Sequence, residues 1–489
     1  MSVPGYSPLE STSPTAFGKY AALSHCWGKG KPLLLTGTSL GKLRQAIPTI
    51  DLPPLFLDAI MLARRLQIPY LWIDSLCILQ DSTEDWEREA AMMSNVYADA
   101  WVVFAAHTAK DSLGSLLSAP RVPDTQSVAI QCVGPADTQA TVYARHARTG
   151  SHNLDSTHGH SRARPGSYYP DTTRDNSSPS PALKNTSYLQ TSLLSNRGWV
   201  FQERILATRM IHFTRWEAVW ECGTEIRCEC SSSPRSGRGE GFIKPNFVTQ
   251  QQPSDGDISD MWRSMVNLFT ARDLTFSKDR LPAIAGLAAA MKQLTSATYL
   301  QGLWSDDLPR SLLWERNPES RDHSRRCPDV PSRSWASVTG SIWNTYPSTL
   351  EFLIEVQKYS ESTPNSSHSF KANDMGMMLK GSFADGQFDI RSYDRGGPVF
   401  SYRDDSGSRH RILGELRLDV DEGPIELVTG EKCTLLLGVD GGRWQTWLVL
   451  KKRRGAEATY RRVGKLRTTD YDPSCNLAQA LSRRTVKLV

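Results

Sequence analysis

The sequence predicts an α/β fold for the N-terminal part of the chain, with a mostly parallel sheet and flanking helices. Short apolar runs typical of buried strands alternate there with segments of helical periodicity. From about Ser334 the pattern changes to short β-rich runs separated by Gly-Asp turns, which predicts a β-rich C-terminal region. The N-terminal candidates, in the order strand, helix, strand, helix, strand, are residues 20–24, 54–66, 70–73, 84–98 and 101–106.

Both predicted helices have a local cause. The first begins at Pro54, because the fixed backbone angle of proline suits the first helical turn. The second has acidic residues in its early turns, which favour a helix N-terminus. Each carries one apolar stripe that a sheet would cover. The stripes consist of Leu55, Ala59, Leu62 and Leu66, and of Trp86, Ala90, Met93 and Tyr97.

Length and composition indicate a globular protein of several domains. The chain has 489 residues, with 39% hydrophobic and 22% charged residues, which excludes wholesale disorder. Residues 150–187 are rich in Ser, Thr, Pro, Asn and Arg and predict a disordered insertion. We predict a tail (1–19), a first α/β segment (20–149), this insertion (150–187), a later block (188–230), a linker (231–257), a helical region (258–330) and a β-rich region (331–489).

Charge and cysteine usage exclude several classes of protein. The formal net charge is only +5 and the basic residues are scattered, so no nucleic-acid partner is expected. No apolar run approaches the roughly 18 residues of a membrane span, and no secretory signal is visible. The nine cysteines are an odd number and mostly isolated in apolar segments, which predicts free thiols and a cytoplasmic location.

No motif predicts a metal or phosphate site. Three cysteines, Cys222, Cys228 and Cys230, lie close together but lack a second ligand pair. The histidines at 146, 152, 158 and 160 lack partners at ligand spacing. The segment Gly28–Lys31 lacks the spacing of a phosphate-binding loop.

The segment Tyr70–Asp81 points to a functional site. A buried strand runs directly into Asp74 and Ser75, and then into Gln80 and Asp81. In open α/β sheets, ligands bind at the carboxyl ends of strands, so this strand end is the expected position of a site.

Several spaced motifs together resemble the fungal heterokaryon incompatibility (HET) domain. The resemblance covers about residues 20–222. The motifs are Ala22–Gly28, Asp58-Ala59, Tyr70–Ile78, Gln80-Asp81, Trp86, Glu89, Met93, Tyr97-Ala98, Arg197–Arg204 and Trp220–Cys222. Two features depart from the family: His25 stands where an aromatic residue is common, and the short lead-in before Ala22 implies a truncated N-terminus with an unpaired sheet edge.

The resemblance implies an effector of non-self recognition, which triggers growth arrest or programmed cell death after fungal cells fuse. It would act with a protein partner or by self-association. A diverged family member without death activity is the alternative. The expected functional pocket comprises Ser24, Trp27, Asp74, Ser75, Gln80, Asp81, Gln202, Glu203 and Arg204.

The HET domain has also been likened, remotely, to TIR domains, some of which hydrolyse NAD with a helical glutamate. The nearest equivalent is Glu89, three residues after Trp86, although the spacing differs by one residue. Asp85 shares a helical face with Glu89, and a carboxylate can stabilise the oxocarbenium-like state of glycosidic cleavage. Acids in a first turn also suit the helix dipole, so the sequence leaves enzymatic activity open, with NAD as the candidate substrate and no certain cofactor.

Overall fold

The computed structural model divides the chain into two compact units, Met1–Gln250 and Gln251–Val489. The predicted insertion at 150–187 and residues 231–254 of the predicted linker lie outside the described residues. The described residues are 9–10, 17–28, 33–117, 128–133, 139–144, 192–215, 217–229, 255–317, 320, 323–344, 346, 350–359, 376–389, 399–403, 409–421, 427–442, 444–453, 455–456, 458–469 and 481–489.

The N-terminal unit is built on a six-stranded sheet with helices on both faces. The strand order is β2-β1-β3-β6-β7-β8, and β4 and β5 form a separate antiparallel pair. The elements are β1 (Tyr20–Ser24), α1 (Leu40–Gln45), α2 (Pro54–Arg65), β2 (Tyr70–Ile73), α3 (Asp74–Cys77), α4 (Thr83–Asp99), β3 (Val102–Ala106), β4 (Val128–Val133), β5 (Gln139–Ala144), α5 (Gly198–Leu206), β6 (Arg209–Phe213), β7 (Ala218–Cys222) and β8 (Ile226–Cys228).

The six-stranded sheet is mixed, which corrects the prediction of a mostly parallel sheet. The pairs β2-β1, β1-β3 and β3-β6 are parallel, whereas β6-β7 and β7-β8 are antiparallel. Helices lie between β1, β2 and β3 along the chain, and parallel pairing requires such long connections. A tight turn joins β6 to β7, with the Thr214 amide donating to the Glu217 carbonyl over 3.2 Å. Only antiparallel pairing fits so short a connection.

Two apolar layers cover the two faces of this sheet, because successive side chains of a strand point to opposite sides. On one face, Leu23 of β1 and Phe104 of β3 pack with residues of α2 such as Phe56. On the other face, Ala22 of β1 packs with residues of α4 and α5, among them Tyr97. The N-terminal unit is therefore three layers deep, with α4 and α5 on the same side of the sheet.

The β-rich C-terminal region is present in the second unit. A nine-stranded sheet has the order β14-β13-β12-β16-β17-β18-β15, with β11 and β19 also paired to β12. Two helices precede it, and α6 begins within the stretch predicted as a linker. The elements are α6 (Asp255–Thr270), α7 (Pro282–Lys292), β9 (Glu315–Arg316), β10 (Ile342–Trp343), β11 (Glu355–Lys358), β12 (Met377–Asp389), β13 (Val399–Arg403), β14 (Arg409–Leu413), β15 (Glu415–Leu418), β16 (Lys432–Asp440), β17 (Trp444–Lys452), β18 (Thr459–Thr469) and β19 (Ser482–Leu488).

One side of the nine-stranded sheet forms the core of the second unit. Leu435, Trp447, Val449 and Leu466 are fully buried in one apolar cluster that spans β16, β17 and β18. In the described part of the chain, no helix is long and apolar enough to cross a membrane.

Asp58 of α2 anchors the segment that follows β3. Its Oδ2 atom accepts hydrogen bonds from the Leu116 amide at 2.9 Å and from the Ser115 hydroxyl. Asp58→Ala leaves these donors without their acceptor, so we expect it to lower the free energy of unfolding by about 1–3 kcal/mol. Urea unfolding followed by circular dichroism measures this loss.

The matched control is Asp51→Ala. Asp51 forms an exposed ion pair with Lys42 at 3.2 Å, and exposed pairs contribute about 0–1 kcal/mol. Equal losses for the two variants would contradict the anchoring role of Asp58.

Candidate functional site

The carboxyl ends of β1 and β2 meet at one edge of the sheet. β1 lies between β2 and β3, so the connections leaving this region diverge to either side of it. Ligands of open α/β sheets bind at such a point. Leu23 pairs with Ile73, and Ser24 pairs with Ala105 of β3. Ser24 and Asp74 therefore occupy neighbouring positions where the two strands end.

Asp74 is fixed in place by hydrogen bonds on both carboxylate oxygens. The Trp27 indole donates to Oδ2 over 2.7 Å, and the Ser75 amide donates to Oδ1 over 2.7 Å. The Gln80 side chain donates to the Asp74 backbone carbonyl at 3.0 Å. The Asp74 side chain remains 20% exposed, so a partly solvated carboxylate is held at the strand end.

Glu203 of α5 reaches the same edge from the helix above it. Burial raises the pKa of Glu203 from its ordinary 4.5 to about 7, and the charge of Asp74 acts in the same direction. The hydroxyls of Ser24 and Tyr97 and the Arg197 guanidinium oppose this rise in pKa. A carboxyl group with a pKa near 7 changes its protonation state at physiological pH, as a catalytic acid or base must.

Unsatisfied polar atoms are concentrated at this edge. Ser24 Oγ, both ring nitrogens of His25, Ser75 Oγ and Glu203 Oε2 are buried without a hydrogen-bond partner of normal geometry. Among the described residues of the N-terminal unit, no other buried side-chain nitrogen or oxygen atom lacks such a hydrogen-bond partner. Buried polar atoms are normally paired, so such a cluster marks a place where ordered water or a polar ligand would supply the missing partners. We call Ser24, His25, Asp74, Ser75 and Glu203 the strand-end cluster.

His25 is enclosed between the sheet and α2. Its ring packs edge-on against Phe56, with ring centres 5.4 Å apart, and its Nδ1 lies 3.7 Å from Asp74 Oδ1. Burial lowers the pKa of His25, Asp74 acts to raise it, and Arg197 acts to lower it. Arg197 also donates a hydrogen bond to the His25 carbonyl, which ties the start of α5 to the end of β1.

The two acids of α4 predicted as catalytic have other partners. Asp85 accepts a hydrogen bond from the Leu79 amide at 2.8 Å and pairs with Arg88. Glu89 pairs with the same guanidinium at 3.3 Å, and its side chain is 24% exposed. Glu89 lies near α3, since its charge, like that of Asp74, adds to the burial that raises the pKa of Cys77 to about 12.

Two residues of the predicted pocket make their contacts away from the strand-end cluster, and a third, Gln202, is buried on α5 next to Glu203 in the chain. Asp81 accepts hydrogen bonds from the Gly37 amide at 3.0 Å. Arg204 points to Glu221 of β7, with its Nε 2.9 Å from Oε2. The structure thus brings together Ser24, Trp27, Asp74, Ser75, Gln80 and Glu203, six of the nine pocket residues.

Sequence reasoning did not single out His25, Tyr97 or Arg197 as site residues. All three lie inside motifs that were recognised, and Arg197 opens the block that ends at Arg204. Tyr97 was assigned to an apolar helix stripe, yet its hydroxyl is close enough to Glu203 to influence the pKa of both groups. Among the described residues, no group of three or more His, Cys, Asp or Glu side chains is arranged to hold a metal ion.

One family model matches the part of the chain that contains the strand-end cluster. Residues 20–203 match the model of the heterokaryon incompatibility protein (HET) family. The match starts at the first residue of β1 and ends at Glu203, so it includes every member of the strand-end cluster. No curated protein and no solved structure is significantly similar to the chain. The chain therefore carries a heterokaryon incompatibility (HET) domain over residues 20–203.

Proposed function

We propose that this protein is an effector of heterokaryon incompatibility that arrests growth or kills the mixed cell by cleaving the nicotinamide–ribose bond of NAD. The family match supports the biological role, since the HET domain is associated with heterokaryon incompatibility. The chemical role rests on one observation: a buried carboxyl group with a pKa near 7 stands at the carboxyl end of β1, among polar atoms that lack hydrogen-bond partners of normal geometry.

The proposed chemistry requires one ionised carboxylate. As the glycosidic bond breaks, positive charge develops on the ribose, and a nearby carboxylate stabilises this oxocarbenium-like state. Nicotinamide leaves as a neutral molecule, so it needs no proton from the enzyme. Water then adds to the ribose and releases a proton, which the carboxylate can accept. The products are nicotinamide, ADP-ribose and a proton.

Glu203 suits this role better than Glu89, the residue that the resemblance to TIR domains suggests. A carboxylate in a buried site is weakly screened, so its charge acts strongly on a developing cation. Glu203 is 6% exposed, and the Arg197 guanidinium lowers its pKa without outweighing the effect of burial. Glu89 is more exposed and pairs directly with Arg88. In the proposed mechanism Glu203 stabilises the transition state and Asp74 orients the substrate.

The experiment compares Glu203→Gln with the matched control Glu89→Gln, both in a fungal host and as purified protein. We expect induced wild-type protein to stop growth and deplete cellular NAD. Glu203→Gln should lower nicotinamide release by about 10²-fold or more, since it removes the charge but keeps the shape. Glu89→Gln should keep the wild-type rate.

The outcomes separate the two halves of the proposal. Growth arrest without loss of NAD would overturn the chemistry and leave the effector role in place. Normal growth despite abundant wild-type protein would overturn the effector role. Equal nicotinamide release by wild type and Glu203→Gln would remove Glu203 from the mechanism.

A further inference from the structure

A continuous chain of hydrogen bonds runs from the core of the sheet to the segment before α5. Glu221 Oε2 lies 2.8 Å from His212 Nε2, and His212 Nδ1 lies 2.8 Å from His107 Nε2. His107 Nδ1 lies 2.7 Å from Ser192 Oγ. None of these four residues belongs to the strand-end cluster.

This series of hydrogen bonds leads from a buried carboxylate to a half-buried hydroxyl. Glu221 on β7 and His212 on β6 are fully buried, whereas His107, directly after β3, and Ser192 are partly exposed. Ser192 is thus at the more exposed end of this series of hydrogen bonds. His107 follows the carboxyl end of β3, the strand beside β1, and this edge is where ligands of open sheets bind.

The bonding pattern fixes which nitrogen carries each proton. Arg204 donates to both oxygens of Glu221, at 2.9 and 3.3 Å, which holds the carboxylate in its ionised, accepting form. His212 must then donate through Nε2, so its Nδ1 is an acceptor. His107 in turn donates through Nε2 to His212. Its Nδ1 is left as an acceptor that faces Ser192.

Ser195 is the other hydroxyl near this imidazole, and the distances favour Ser192. Ser195 Oγ lies 3.4 Å from His107 Nδ1, against 2.7 Å for Ser192 Oγ. Ser195 is also buried, at 5% exposure. The Ser195 amide donates to Ser192 Oγ over 3.0 Å, and the Ser192 hydroxyl donates to Ser195 Oγ over 3.0 Å. These contacts hold Ser192 in place, and its hydroxyl proton must turn from Ser195 Oγ to His107 Nδ1 before it can be transferred.

We propose that Ser192 is the activated nucleophile of a second reactive site, which takes a carboxylic ester as its substrate. His107 is the general base, and His212 and Glu221 are positioning residues that fix its orientation and tautomer, as the carboxylate does in a serine hydrolase. Ser192 Oγ forms a bond to the ester carbon and its proton moves to His107 Nδ1. The ester C–O bond then breaks as His107 gives this proton to the alcohol oxygen. Water next gives a proton to His107 and bonds to the acyl carbon, and the acid leaves as the bond to Ser192 Oγ breaks and that oxygen takes the proton back.

A fluorophosphonate probe tests this site on the full-length protein. The Ser192 oxygen displaces fluoride from phosphorus, and mass spectrometry of the digested protein locates the adduct. We expect a single main adduct on Ser192. Its rate of formation should fall by about 10²-fold or more in His107→Gln, the size of a general-base contribution. The labelling rate should also fall in Glu221→Gln, while an unchanged circular dichroism spectrum shows that this variant is folded.

Two control variants make the outcome decisive. Ser195→Ala should be labelled at nearly the wild-type rate. Glu203→Gln should be labelled normally, because the reaction does not involve the strand-end cluster, so the result is independent of NAD cleavage. Wild-type protein without an adduct on Ser192 would overturn the proposal. So would an unchanged labelling rate in His107→Gln, since a serine that only caps a turn does not depend on that imidazole.

Discussion

Glu203→Gln is expected to stabilise the protein by about 3 kcal/mol at pH 8 and to have almost no effect near pH 4. The pKa of Glu203 rises from 4.5 to about 7 on folding, chiefly through burial. The folded state therefore binds the proton more tightly than the unfolded state. As the pH rises from 4.5 to 7, the wild type loses stability, and above pH 7 the loss is complete. The neutral glutamine avoids this loss.

Urea unfolding of wild type and Glu203→Gln at several pH values between 4 and 8 measures the effect. The difference in free energy of unfolding should grow through the window from about pH 4.5 to 7 and then stay constant. Glu89→Gln is the matched control and should show no such growth. A difference between wild type and Glu203→Gln that does not change with pH would show that Glu203 does not titrate in this window.

The same titration links stability to the proposed activity. If the ionised carboxylate stabilises the transition state, the rate of NAD cleavage rises with pH over the range in which the protein loses stability. Active sites often combine function with a local cost in stability. Glu203 would be such a position, because its charge is needed for the chemistry and opposed by its burial.

Arg204→Met is expected to lower the free energy of unfolding by about 3–5 kcal/mol, because it breaks a buried ion pair by removing one partner. The side chains of Arg204 and Glu221 are 8% and 0% exposed. Methionine fills similar space but cannot compensate the carboxylate. The hydrogen bond from His212 to Glu221 remains, at 2.8 Å, but it does not replace a guanidinium.

Thermal and urea unfolding of the variant measure this loss, and Arg88→Met is the control. Arg88 is 63% exposed and pairs with Asp85 and Glu89 on the surface of α4, so its loss should lower the stability far less than the loss of Arg204. The double variant Arg204→Met, Glu221→Met should recover part of the stability, because no buried charge is left. Similar costs for the two arginine variants would contradict the role assigned to Arg204.

Local patterns in the sequence were enough to predict the elements around β1, β2 and α4. The apolar run Tyr70–Ile73 forms a strand because it fits a sheet interior, and the stripe containing Met93 and Tyr97 forms a helix because its spacing is helical. The polar residues after Ile73 do lie at the carboxyl end of a strand. Such features depend on neighbours in the chain, so they can be predicted without knowing the tertiary structure.

The prediction of a mostly parallel sheet was wrong for β7 and β8, because the direction of a strand depends on the connection that precedes it. Helical periodicity between β1, β2 and β3 indicates crossover connections, and these three strands are parallel as expected. β6 ends at Phe213 and β7 begins at Ala218, and so short a connection makes this pair of strands antiparallel. A hairpin at the end of a parallel sheet has no strong signal in hydrophobic pattern alone.

The sequence by itself was enough to predict the HET-like character of residues 20–203, the α/β character of the first unit and the β-rich second unit. Only the tertiary structure decided which glutamate is buried. Glu203 is far from Ser24 and Asp74 along the chain, and α5 brings it over the ends of β1 and β2. Its pKa is set by loss of solvent and by charges from distant segments. Spacing along the sequence carries no information about such surroundings, whereas the packing of α5 on the sheet fixes them.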